Sequence, residues 1–118
     1  MLHLDDIFPA SKPSKYLARK ATTPDGITHD SQREAARWVH LQTQQRAGLI
    51  SGLRRQVRFP IIINGHRVCA YVADFCYLSA GQEVVEDVKS PITRKLPAYR
   101  LKVKLMLAVH GITISEVM

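Results

Sequence analysis

The sequence predicts one α/β domain with a mixed sheet, in which the elements follow the order helix, three strands, helix, strand. Three observations predict this class. Two segments have helix-type spacing with terminal signals, three strand-type segments are joined by tight-turn residues, and a short apolar segment closes the chain. The 118 residues suffice for one hydrophobic core. We therefore assign residues 25–118 to a single domain and residues 1–24 to an irregular, basic N-terminal arm.

The first helix is predicted within THDSQREAARWVHLQTQQRAGLI. Asp30 or Ser31 can cap its N-terminus, and Gly48 suits the position just beyond its C-terminus. Its apolar stripe consists of Ala35, Trp38, Val39 and Leu41.

Three antiparallel strands are predicted next, in LRRQVRFPIIING, HRVCAYVADFCYL and EVVEDVK. Asn64-Gly65 is a strong signal for a tight hairpin between the first two strands. Ser79-Ala80-Gly81 supplies the turn to the third strand.

The second helix is predicted from Pro97, which suits a first turn, to the residue before Gly111. Its buried stripe is predicted to consist of Leu101, Leu105, Ala108 and Val109. The segment ITISEV is predicted to form the last strand.

The net positive charge of the chain favours a polyanionic partner. Seventeen Lys and Arg residues against ten Asp and Glu residues give a net charge of +7, which suits nucleic acid or an anionic surface. No apolar run approaches the ~18 residues of a membrane span, so we expect a soluble protein.

Alternation along the strands predicts that acidic residues converge. Asp87 and Lys89 point to the same face of the third strand, whereas Glu86 points to the opposite face. The antiparallel neighbour strand brings Asp74 to the same side as Asp87. Two carboxylates beside a lysine suit Mg²⁺ binding and phosphodiester hydrolysis, and an ordinary Asp–Lys ion pair gives the same pattern. A one-residue bulge would exchange Glu86 for Asp87.

Glu34 is a further candidate, because it lies on the stripe of Trp38 and Leu41 and points toward the core. The same residue completes a capping box with Ser31, so its spacing fits a site acid and a capping residue equally well.

Several cations are candidates for phosphate contacts. Arg54 and Arg58 flank Gln56 on the polar face of the first strand, a pattern that also fits a solvated edge. The other candidate cations are Lys15, Arg19, Lys20, Lys95, Arg100 and Lys104.

The segments DGITHDSQREAARW, YVADFCY and VVEDVKS carry a family resemblance. From about Lys15 to Val117 the chain resembles a phage and prophage family of small predicted nucleases, catalogued as a domain of unknown function. That family is similar in turn to the PD-(D/E)XK superfamily, which has the restriction-endonuclease-like fold with an α-β-β-β-α-β core. Ala73 stands where the motif is named for proline, and Ser90 stands where the family more often has glycine.

The resemblance implies roles for particular residues. Asp74 and Asp87 would be metal ligands and Glu34 the helix acid, with Lys89 completing the D/E-x-K pair and Gln56 as an auxiliary polar residue. The implied cofactor is Mg²⁺, with Mn²⁺ as a substitute.

We therefore expect a metal-dependent DNA endonuclease that is phage-encoded and acts in the cytoplasm of a bacterial host. The small size favours a structure-specific enzyme of DNA recombination, similar to a Holliday-junction resolvase, and a homodimer if two strands are cut. The alternative is a non-catalytic, DNA-binding phage accessory protein on the same fold.

Overall fold

The computed structural model describes residues 19–117, and Lys15 together with most of the N-terminal arm lies outside this range. Two helices and six strands account for most of the described chain. In chain order the elements are β1 (Ala21–Thr22), β2 (Thr28–His29), α1 (Gln32–Arg46), β3 (Ser51–Ile63), β4 (His66–Ser79), β5 (Gln82–Val88), a 3₁₀ turn (Thr93–Lys95), α2 (Pro97–His110) and β6 (Ser115–Val117). This confirms the predicted mixed α/β class and the order of its core elements.

The main sheet has the strand order β3-β4-β5-β6. β3 and β4 pair antiparallel, as do β4 and β5, whereas β5 and β6 are parallel. The parallel pair requires a crossover, and α2 provides it between β5 and β6. The sheet is therefore mixed, and the crossover helix covers the face next to the end of β5.

The tight turns form where the sequence predicts them. Asn64 and Gly65 have φ values of 52° and 77°, and Ala80 and Gly81 have values of 52° and 77°. Positive φ at both central residues is the geometry of the two-residue hairpin turn that matches strand twist. These turns fix the register in which Cys76 pairs with Val85 and Phe75 with Glu86.

Helix α1 packs on one face of the sheet. Its N-cap is Ser31, whose side chain accepts a hydrogen bond from the Glu34 backbone N–H at 3.1 Å. The Trp38 ring stacks on Phe75 with ring centroids 5.7 Å apart. Leu41 is fully buried in the same cluster, whereas Val39 of the predicted stripe is 39% exposed and is therefore not a core residue.

Helix α2 packs on the opposite face. Pro97 is its first residue, and Gly111 follows its C-terminus with φ 67°, both as predicted. Met106 is fully buried, and Leu105 and Val109 pack beside it. The predicted stripe is wrong at Leu101, which is 44% exposed, and at Ala108, which is exposed.

The end of the predicted irregular arm contains a short strand. Ala21 pairs with His29 and Thr22 with Thr28, so β1 and β2 form a separate two-stranded sheet. Asp25 closes the loop between them by accepting a hydrogen bond from the Ile27 N–H at 3.1 Å. Within residues 19–117 no helix is long and apolar enough to cross a membrane.

Candidate active site

Asp74 and Asp87 occupy facing positions on neighbouring strands. The β4–β5 register pairs Phe75 with Glu86, and its continuation by one residue places Asp74 opposite Asp87. Asp74 Oδ2 accepts a hydrogen bond from the Val88 backbone N–H at 2.9 Å, which fixes this carboxylate against β5. Both acids therefore lie where the sequence predicts them, at the end of β5.

Burial and mutual repulsion act on this pair. Burial raises the pKa of Asp74, and the nearby charge of Asp87 and a side-chain hydrogen bond between the two acids raise it further, to about 9. The charge of Glu34 acts in the same direction, and that of Lys89 opposes it. A carboxyl group held in this way binds a proton or a cation more readily than an isolated, solvated carboxylate does.

Asp87 is only 1% exposed, and its two oxygens have different surroundings. Oδ2 accepts a hydrogen bond from the Tyr71 hydroxyl and lies 3.5 Å from Lys89 Nζ. Oδ1 is buried and has no hydrogen-bond partner among the described residues. An unpartnered oxygen on a buried carboxylate is costly, so this atom is the natural position for a further ligand.

Lys89 is held between β5 and α2. Its backbone N–H donates to the Val117 carbonyl at 2.8 Å, which ties the end of β5 to β6. Its Nζ lies 4.8 Å from the centroid of the Tyr99 ring, a cation–π contact. The ammonium group is one-quarter exposed and can therefore reach a molecule bound beside Asp87.

Glu34 is 4% exposed and belongs to a second polar group next to this pair. Its Oε1 accepts a hydrogen bond from Gln56 Nε2 at 3.3 Å and lies 3.5 Å from His29 Nδ1. Burial, followed by the charge of Asp30, raises the pKa of Glu34. The Glu34 backbone N–H contributes to the helix cap, while its carboxylate faces the sheet.

Gln56 has an unusual backbone conformation for a strand residue. Its φ is 53°, in the left-handed region that costs a non-glycine residue about 1–2 kcal/mol. The residue is exposed, yet its amide reaches Glu34. Strain of this kind persists where the surrounding structure compensates for it, and here it accompanies the contact between β3 and α1.

Glu86 takes no part in the Asp74–Asp87 pair. Arg37 Nε donates to its Oε1 at 2.6 Å, and Arg37 Nη2 and the Tyr77 hydroxyl donate to its Oε2 at 3.0 and 2.7 Å. These contacts lie on the α1 face of the sheet. Asp87, rather than Glu86, is therefore the acid that faces Asp74.

The predicted cations within the described residues do not form one continuous patch. Arg100 and Lys104 line one groove beside α2, and the exposed Lys95 lies in the preceding 3₁₀ turn. Arg54 instead forms an exposed ion pair with Glu83 at 2.8 Å, near the start of β5. Three further exposed cations are spread over other parts of the surface: Arg19, Lys20 and Arg58.

A divalent metal ion fits the Asp74–Asp87 pair on the chemistry of its donors. Mg²⁺ is commonly bound by one or two carboxylates, with water and substrate phosphate completing the coordination. Asp87 Oδ1 has no hydrogen-bond partner among the described residues, and the repulsion between the acids would be relieved by a cation. Within residues 19–117 no three His, Cys, Asp or Glu side chains group closely enough to hold a metal ion, so Glu34 is not a direct third ligand here.

Three contributors to this region were not predicted from the sequence. His29 is 1% exposed and contacts Glu34, Tyr71 donates to Asp87, and Tyr99 contacts Lys89. Each belongs to a different element from its partner, so no local spacing reveals the contact. Strict alternation along β4 would place Tyr71 on the face of Phe75 and Tyr77, but the pattern is interrupted near Asp74, so that Tyr71 and Ala73 share the α2 face with Cys76.

Comparison with known protein families supports the resemblance to a domain family of unknown function. A family model described as "Protein of unknown function (DUF1064)" matches residues 13–110, and the chain therefore belongs to that family. No curated protein and no solved structure gives a significant match to the chain.

Proposed function

We propose that this member of the DUF1064 family is a metal-dependent endonuclease that hydrolyses phosphodiester bonds in DNA. The observation that carries the proposal is the contact group formed by Asp74, Asp87 and Lys89, in which Asp87 Oδ1 is buried without a partner. A structural ion pair would be expected to satisfy its acid. An acid that retains an unsatisfied oxygen beside a second carboxylate suits a site that binds a cation.

Asp74 and Asp87 would hold Mg²⁺ or Mn²⁺, which supplies Lewis-acid polarisation of the phosphate and lowers the pKa of bound water. Tyr71 orients Asp87 through its hydrogen bond. Lys89 Nζ neutralises charge that develops on the phosphoryl oxygens or holds the attacking water. Water adds to phosphorus, the bond to one sugar oxygen breaks, and a proton passes to that leaving oxygen.

Glu34 and Gln56 would position water at the edge of this site. Their side chains are joined at 3.3 Å, and Glu34 is close enough to Asp74 for its charge to raise the pKa of that acid. Glu34 then acts through a bound water rather than as a direct ligand. His29 Nδ1 lies 3.5 Å from the same Glu34 oxygen that Gln56 contacts.

The small domain and its net charge of +7 suit a structure-specific enzyme that grips the DNA backbone without reading sequence. A branched substrate, such as a recombination junction, and a twofold dimer that cuts two strands extend the same proposal. The proposal also includes a phage origin for the protein and its action in the cytoplasm of a bacterial host.

Cleavage of labelled DNA tests this proposal. Linear, nicked, flapped and four-way-junction DNA are each incubated with the wild-type protein or the Asp87→Asn variant. Every reaction contains Mg²⁺ or Mn²⁺. Glu83→Gln is the matched control, because Glu83 lies on the same strand but is exposed and paired with Arg54. We expect wild type and the control to cut, with preference for the junction, and Asp87→Asn to lose at least about two orders of magnitude in rate.

A non-catalytic DNA-binding protein is the second candidate. The lack of a three-residue metal group within residues 19–117 favours it, because binding alone needs only the basic surface. It predicts that wild type binds DNA without cutting it and that Asp87→Asn binds equally well. That outcome would exclude the catalytic proposal.

A further inference from the structure

A groove of about 220 Å³ lies between α2 and β6, next to the candidate active site. Three cations and one acid contribute to its lining. The residues that line it are Arg94, Tyr99, Arg100, Val103, Lys104 and Glu116. The positive charges exceed the negative charge by two, so the groove suits an anion.

The groove adjoins the acidic pair. Glu116 of β6 is the registered partner of Asp87 on β5, and neighbouring strands lie about 4.8 Å apart. Tyr99 belongs to the groove lining and also contacts Lys89. The groove and the acidic pair are therefore separated by one strand spacing.

The size of the groove limits the ligand. Pockets that enclose drug-sized molecules have volumes of about 300–1,000 Å³, so this groove is too small to enclose a whole nucleotide. It is open to a single phosphate group with its hydration. Arginine and lysine are the side chains that bind phosphate, the former through a planar pair of donors.

Glu116 works against such a ligand. Its Oε2 lies 3.8 Å from Arg94 Nε, so the acid both occupies this guanidinium and repels an approaching phosphate. Its removal would take away one ion-pair partner of Arg94 and raise the net charge of the groove. Glu116 is thus expected to weaken binding.

We propose that this groove binds the backbone phosphate that neighbours the cleaved one on the same nucleic-acid strand, and that Glu116 limits the affinity. This inference rests on the proposed function for the position of the cleaved phosphate. The ligand is a phosphodiester. The arrangement positions the strand so that the next phosphate along it reaches Asp74 and Asp87.

Binding in the absence of metal tests the groove separately from catalysis. Fluorescence anisotropy of labelled single-stranded and duplex DNA is measured in EDTA, over a range of salt concentrations, in the full chain carrying Asp87→Asn. The groove variant is Arg100→Ala with Lys104→Ala. Its matched control, Arg46→Ala with Arg67→Ala, removes the same charge from exposed positions outside the groove.

We expect the groove variant to lose about five- to tenfold in affinity per phosphate contact near 0.1 M salt, with the salt slope reduced by about 1. Glu116→Gln should increase affinity about two- to fivefold. Equal losses in the groove variant and its control would overturn the inference, as would unchanged affinity in Glu116→Gln. Groove-dependent binding without cleavage by wild type in Mg²⁺ would refute the proposed catalysis but leave the groove in place.

Discussion

Replacing Arg37 by methionine should destabilise the protein by about 3 kcal/mol. Arg37 makes two hydrogen bonds to Glu86, at 2.6 and 3.0 Å, and Glu86 is only 1% exposed. Methionine retains an unbranched apolar stem, so the change removes the charge and its donors with little loss of packing. Of the present hydrogen-bond donors to Glu86, the Tyr77 hydroxyl then remains.

The magnitude follows from the burial of the acid. Removing one partner from a buried ion pair costs about 3–5 kcal/mol, because the other charge is left without compensation. The Arg37 side chain is 24% exposed, which allows partial solvation and favours the low end of that range. Arg54→Met is the matched control. Arg54 and Glu83 are about half exposed, and such pairs contribute about 0.2–1 kcal/mol.

Urea unfolding followed by the fluorescence of the single tryptophan, Trp38, measures both variants. With a slope of about 2 kcal/mol per molar urea, Arg37→Met should lower the midpoint by about 1.5 M and Arg54→Met by less than about 0.5 M. Adding Glu86→Gln to Arg37→Met should restore part of the loss, because neither residue of this pair then carries a buried charge. The reasoning is refuted if the two single variants differ by less than about 1 kcal/mol.

The remaining predictions concern two other acids. Asp74→Asn should stabilise the metal-free protein by about 0.5–2 kcal/mol, because burial and Asp87 raise the pKa of Asp74 and an amide carries no charge to bury. Thermal unfolding in EDTA measures this, and a melting temperature below that of wild type would contradict it. Hydrogen bonds from Thr23 and Trp38 lower the pKa of Asp25 below its ordinary value of 3.8, so its carboxylate stabilises the fold above that pH. Asp25→Asn should therefore be less stable than wild type at pH 7, and the difference should shrink as the pH falls below about 4; a difference that does not change with pH would argue against this linkage.

Element ends could be predicted because their signals are local. Ser31 caps α1, Asn64-Gly65 forms the hairpin, and Gly111 ends α2 with positive φ. Each signal depends on the conformational preference of one or two residues, and tertiary packing does not reverse it.

The buried face of α2 could not be predicted with the same accuracy. The helix is apolar on several sides, so more than one stripe fits a period of 3.6 residues. Which stripe faces the sheet depends on how the helix crosses β3 and β4. The structure selects Met106 and leaves Leu101 exposed.

The β5 half of the acidic pair could be predicted because alternation along β5 is regular. It places Asp87 and Lys89 on one face and Glu86 on the other, and the structure agrees. The partners Tyr71 and Arg37 could not be found in this way, because they come from other elements. Neither spacing nor composition indicates that Gln56 adopts a positive φ value and reaches Glu34.

The contrast between Glu86 and Asp87 separates structure from function. Both are 1% exposed, and they are neighbours on β5. Glu86 accepts three hydrogen bonds from Arg37 and Tyr77, so both of its oxygens are paired and it links α1 to the sheet. Asp87 faces another acid and keeps one oxygen without a partner. The arrangement around Asp87 lowers stability, whereas the neighbouring Glu86 shows that this strand can hold a fully paired acid. The contrast favours a binding role for Asp87 over a structural one.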